Sequence, residues 1–195
     1  MNDVREGSEV IENLNKAVLH GDVITAENVL KDSTLPSNIR FDQGDTLLHL
    51  AVRSASPKMV SLVLNYAKGI DFTSQNRRAN TPLCLAVQLS KPNTQLYSPE
   101  EREKLKKSFE EICLLLIDKD PNVNETVKIQ NIMRKSTWDF LNKTVKNPKI
   151  YKALNEKIIQ ILAREAKVSI VSKDTGESKA LHAESLKKSK VGISR

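Results

Sequence analysis

Three histidines, two cysteines and six glycines are the residues from which most site chemistry would have to be built. His20, His49 and His182 lie far apart and form neither an H-x-H nor an H-E-x-x-H pattern, and no Cys/His cluster with zinc-ligand spacing accompanies them. Cys84 and Cys113 stand 29 residues apart, each inside an apolar segment and outside any C-x-x-C pair. That is the pattern of two buried, reduced thiols. Gly7, Gly21, Gly44, Gly69, Gly176 and Gly192 give no G-x-G and no phosphate-binding loop. Lys173-Asp-Thr-Gly176 matches a phosphorylated-aspartate motif by accident only, because no strand-then-helix pattern surrounds it. The acid pairs Glu100-Glu101 and Glu110-Glu111 fall in helical segments and read as solvated faces. The expectation is therefore no catalytic centre, no cofactor, no metal site and no small-molecule substrate: the chain is read as a protein that is not an enzyme.

The elements that would position any binding side chains show themselves as an internal repeat. Asp45-Thr-Leu-Leu-His-Leu-Ala-Val52, Asn80-Thr-Pro-Leu-Cys-Leu-Ala-Val87 and Lys135-Ser-Thr-Trp-Asp-Phe-Leu-Asn142 align, and Leu14-Asn-Lys-Ala-Val-Leu-His-Gly-Asp22 is a degenerate copy ahead of them. The anchors Ala17, Ala51, Ala86 and Leu141 are spaced 34, 35 and 55 residues apart. A threonine at the head of a unit caps a helix, and Pro82 stands at a first-turn position where its missing N–H costs nothing. Small alanines let helices approach closely, and the apolar runs Met59–Leu64 and Ile112–Ile117 supply a face that one helix pair cannot bury alone.

These segments resemble the ankyrin repeat, a unit of about 33 residues with a T-P-L-H-x-A signature. Thr46-Leu-Leu-His-Leu-Ala51 departs from the signature only at the proline, and Thr81-Pro-Leu-Cys-Leu-Ala86 only at the histidine. Gly69-Ile-Asp-Phe72 and Asp120-Pro-Asn-Val-Asn124 are similar to the family's exit from the outer helix. The resemblance covers residues 12–166 and implies an all-α solenoid of antiparallel helix pairs joined by short β-hairpin loops, with a long capping helix at the C-terminal end. It also implies a structural role for His49 around the start of its helix. The expected limits are an N-terminal flank over 1–11, repeats near 12–42, 43–77, 78–131 and 132–166, and a flexible basic tail over 167–195. The third unit carries an insertion at 90–107. Pro92 should stop its inner helix, and Ser98-Pro99-Glu100-Glu101 should start its outer helix.

The chain carries 31 Lys and Arg against 24 Asp and Glu, for a net charge of +7. Residues 167–195 hold seven basic and three acidic side chains, so +4 of that excess lies in the tail. Aromatic residues make up only 4%, too few for a base-stacking platform, so nucleic acid is an unlikely partner except weakly through the tail. No apolar run is long enough for a membrane helix, and the polar start Met1–Gly7 lacks the apolar stretch of a secretory leader. The expectation is a cytoplasmic monomer that binds another protein. Ankyrin proteins of host-associated bacteria are often injected effectors, and the polar, basic end 182–195 would suit an export signal. An enzyme-inhibiting binder is the same reading with a different partner.

In ankyrin-like stacks the partner usually meets the hairpin tips and the open face of the inner helices. Carried over position by position, this gives Gln43, Asp45, Arg53 and Ser54 from the first complete repeat, and Arg77, Arg78, Asn80 and Gln88 from the next. The last repeat contributes Met133, Lys135 and Lys143. Five of these are basic and one is acidic, which predicts a partner with an acidic surface.

Overall fold

A computed structural model describes residues 2–32, 39–67, 69–142 and 147–165, with the side chains of 2–8 and 32 excepted. Helix starts follow local capping chemistry. Helix α1 (Asn2–His20) ends at a turn, and the Asp22 carboxylate accepts the Thr25 N–H at 3.1 Å to open α2 (Val23–Asp32). Thr46 caps α3 (Leu47–Arg53), and Ser56 caps α4 (Pro57–Tyr66). Thr81 caps α5 (Pro82–Leu89), and Ser98 caps α6 (Pro99–Lys119). Pro57, Pro82 and Pro99 each occupy the first turn of their helix, where no intrahelical N–H bond is lost. Two short helices, α7 (Val123–Thr126) and α8 (Thr137–Phe140), precede a last helix, α9, over 148–165.

The helices pack in two layers. α1, α3, α5 and α8 touch in succession to form one layer, and α2, α4 and α6 form the other. Within each unit the inner helix packs on its outer partner, α1 on α2, α3 on α4 and α5 on α6. The result is an all-α solenoid. Its apolar interior runs through Leu14, Val18, Leu50, Ala51, Val60, Val63, Leu85, Ala86, Ile112, Leu116, Ile150 and Leu154, all buried. Residues 1–157 form one compact unit and 158–195 a second, of which only 158–165 are described, as helix.

The structure adds detail to several expectations. Residues 2–11, read as a flank, are helical and continuous with α1. In the loops between units, expected as short β-hairpins, the β pairing among the described residues is one isolated antiparallel bridge, Gln130 with Ser136. Within the two apolar runs expected to supply the buried face, Leu64 and Leu115 are only half-buried, and their neighbours Leu62, Val63 and Leu116 take the interior. Residues 166–195, including the expected tail, lie outside the described residues.

Candidate functional site

Three turns repeat one geometry on one side of the unit formed by residues 1–157. In the first, Phe41 N–H donates to Asp45 C=O at 2.8 Å. In the second, Asn76 N–H donates to Asn80 C=O at 3.1 Å, and in the third Asn131 N–H donates to Lys135 C=O at 3.0 Å. The asparagine that opens the second and third turns folds each tip over its own side chain. Asn76 Oδ1 accepts from the N–H groups of Arg78 and Asn80, and Asn131 Oδ1 from those of Met133 and Lys135. The fourth position of each turn is left-handed: Gly44 (φ 68°), Ala79 (φ 54°) and Arg134 (φ 53°). At the first of these a Cβ would crowd the Arg77 Cγ at 3.1 Å and backbone N at 3.2 Å, which the hydrogen of glycine avoids.

The tips are stitched to one another. Arg77 N–H donates to Gln43 C=O at 2.8 Å, and Ile132 N–H donates to Arg78 C=O at 3.1 Å. Arg40 donates through one guanidinium nitrogen to the carbonyls of Gly44 and Gln75, at 3.1 and 3.0 Å. Gln75 Nε2 in turn donates to Ala79 C=O and Gln130 C=O. Beneath the tips runs a ladder of buried polar side chains. Asp45 accepts from Asn76 Nδ2 at 2.8 Å and from the Arg53 guanidinium. Asn80 Oδ1 accepts from Asn131 Nδ2 at 3.0 Å and from Gln88 Nε2 at 2.9 Å.

His49 fixes the junction between the first two of these turns. Its Nε2 lies 2.8 Å from Asn80 C=O, an atom that can only accept, so this nitrogen carries the proton. Nδ1 then accepts the Thr46 N–H at 3.2 Å. Burial pushes the imidazole below its ordinary pKa, and the Asn80 carbonyl partly opposes this. The family-implied structural role of His49 is what the geometry shows. In the next unit Cys84 stands in the histidine's place, where its Sγ lies 3.5 Å from Asn80 Oδ1 and accepts from Gln88 Nε2 at 3.3 Å.

The expected partner-binding residues fall into two groups. Gln43, Arg77, Arg78, Met133 and Lys135 are exposed at the tips. Asp45 and Asn80 are not available to a partner: they are 1% and 3% exposed and form the rungs of the ladder. Arg53 and Gln88 are half-buried and committed to those rungs, eight residues further along in each case. Ser54 closes the end of α3 by donating to Ala51 C=O at 2.7 Å. Lys143 lies outside the described residues. Ile132, not picked out in the sequence, is 66% exposed beside Met133 at 56%. Two consecutive large apolar residues at the centre of a turn were the signal that would have found it.

Both thiols are buried, and burial raises their pKa values, so neither is disposed to act as a nucleophile. Among the described residues no group of His, Cys, Asp and Glu could hold a metal ion, and no helix is long and apolar enough to cross a membrane.

Residues 43–77, from the first tip through α3 and α4 to the second, match the family model of the ankyrin repeat. The chain is an ankyrin-repeat protein. No curated protein matches it. The ankyrin repeat makes the chain a protein–protein interaction module, and the family is typically one of binding modules rather than enzymes.

Proposed function

We propose that this ankyrin-repeat protein binds a protein partner across the row of tips formed by Gln43, Arg77 and Arg78, and Ile132 to Lys135. The partner presents acidic residues around an apolar side chain. The observation that carries this reading is the contrast at Arg77 and Arg78. Their main chain is held by neighbouring turns, while both side chains are exposed. Side chains on a fixed main chain meet a partner at little cost in backbone ordering. Ile132 and Met133 continue the row and supply apolar area beside the charges. Asp45 and Asn80 are outside this surface, and Arg53 and Gln88 support it from below.

Reversing Arg77 and Arg78 to Glu tests the reading. Association with the partner slows, and the difference shrinks as salt rises, because exposed charges are screened beyond about 8 Å at physiological ionic strength. Melting stays within about 0.5 kcal/mol of the parent. A charge-reversed protein that binds with unchanged rate and affinity overturns the proposal.

On the same reading the protein is a cytoplasmic, monomeric adaptor, and sedimentation of the full chain checks the monomer. An exported effector is the form in which 182–195 acts as an address. Deleting 168–195 would then block transfer into host cells while leaving binding in solution intact.

A further inference from the structure

At the far end of α5 from the tips, about 12 Å along that eight-residue helix, the chain walls off a cleft of about 650 Å³. One wall is Ser90 to Thr94, another is the first half of α6, and the third is Asn147 to Lys149 at the start of α9. The size is that of an ordinary ligand site. Nothing in the repeat requires it. α4, the outer helix of the preceding unit, has 10 residues, whereas α6 has 21, and the cleft is lined by the added turns.

Those turns present an unusual stripe. Pro99, Arg102, Glu103, Lys106, Lys107 and Glu110 recur at three- and four-residue spacing, so they share one face of α6. A face aimed at other parts of the chain is ordinarily apolar, but this one is charged. Lys91 and Lys149 add to it from the facing walls, making five basic residues against two acidic ones. Both acids are occupied: Glu103 pairs with Lys106 at 3.8 Å, and Glu110 pairs with Lys149 at 2.9 Å and accepts from Asn147 at 2.8 Å. Lys91, Arg102 and Lys107 are left without a carboxylate among the described residues. Pro92, Pro99 and Pro148, three of the seven prolines in the chain, stand in the three walls and fix φ in each. Pro92 adjoins Lys91 and Pro148 adjoins Lys149, so the backbone is restricted next to these two charges.

We propose that this cleft is a second docking site, which takes an acidic stretch of a partner protein. The three cations without a carboxylate, Arg102 and Lys107 along α6 and Lys91 on the facing wall, match several carboxylates along an extended chain better than one compact anion. The inference is independent of the tip surface, since the two lie at opposite ends of α5.

The test uses the full chain and fluorescein-labelled deca-glutamate, with binding followed by anisotropy at low and raised salt. The parent binds, and salt weakens the complex. Lys91→Glu/Arg102→Glu/Lys107→Glu weakens it by about tenfold or more. The neutral variant Lys91→Gln/Arg102→Gln/Lys107→Gln does so to a smaller extent with unchanged circular dichroism. Arg77→Glu/Arg78→Glu retains most of the binding, and inorganic pyrophosphate competes poorly. The proposal is overturned if the parent does not bind the peptide, if both cleft variants bind as the parent does, or if pyrophosphate displaces the peptide at equal charge. Loss on tip reversal alone also overturns it, while leaving the tip surface standing.

Discussion

His49 is the point where the start of one helix, the turn of the next unit and the titration of the chain meet. Its neutral form satisfies both neighbours, Nε2–H toward Asn80 C=O and Nδ1 toward Thr46 N–H. A second proton on Nδ1 would face that N–H. Burial lowers the folded pKa, so between the folded and unfolded values the unfolded chain binds the extra proton. The sign follows: this contribution is fully present above the unfolded value of about 6.5 and is lost as pH falls below it. Urea midpoints measured from pH 7.5 down to 5.5 should fall in the parent, and the fall should be shallower in His49→Gln. Equal slopes would remove His49 from the pH dependence. The histidine's structural role was legible through the resemblance of Thr46-Leu-Leu-His-Leu-Ala51 to the repeat signature, which implies it for that position. The fate of Asp45 and Asn80 was not. Repeat position tells which side of the stack a residue is on, but not whether a side chain 31 or 51 residues away has claimed it, as Asn76 and Asn131 do.

Helix limits were legible where they rest on neighbouring residues. Ser98, Pro99 and Glu101 make a reciprocal cap, with Glu101 N–H to Ser98 Oγ at 3.2 Å and Ser98 N–H to Glu101 Oε2 at 2.8 Å. α6 begins there as the sequence pattern requires. Ser98→Ala should cost about 0.5–2 kcal/mol by freeing that N–H, read as a lower urea midpoint. Phase was harder to read. Leu114, Leu115 and Leu116 are consecutive and equally apolar, so which one faces inward depends on how α6 sits against α4 and α5. The core takes Leu116, 1% exposed, with Ile112 and Cys113 one turn earlier. Leu116→Ala should cost about 2–5 kcal/mol through the cavity it leaves, and Leu115→Ala distinctly less. Equal costs for the two would mean that α6 is rotated from this register.

A stack of units that touch only their neighbours has a stability built from each unit and each junction. In this ankyrin-repeat protein the junctions are of different kinds. The one between the first and second tips has the His49–Asn80 bond, the Asn76–Asp45 bond and the Arg77–Gln43 main-chain bond. The one between the second and third lacks a histidine. It depends on Asn131, which donates to Asn80, together with the Ile132–Arg78 main-chain bond and Gln75 reaching to Gln130. Asn131 is 6% exposed and also folds its own turn, so Asn131→Ala removes two functions at once. Leaving the buried Asn80 Oδ1 with one donor fewer and the third turn unpinned should cost about 1–3 kcal/mol. The loss should be local. Amide exchange should quicken in α7, α8 and the third turn, while α3 and α4 keep their protection, because sub-global opening follows the units that lose contacts. Asn80→Ala combined with Asn131→Ala should cost less than the sum of the two, since both delete one bond. Uniform loss of protection across α3 to α8 would show instead that the stack opens as a single cooperative body and that its junctions are not separable.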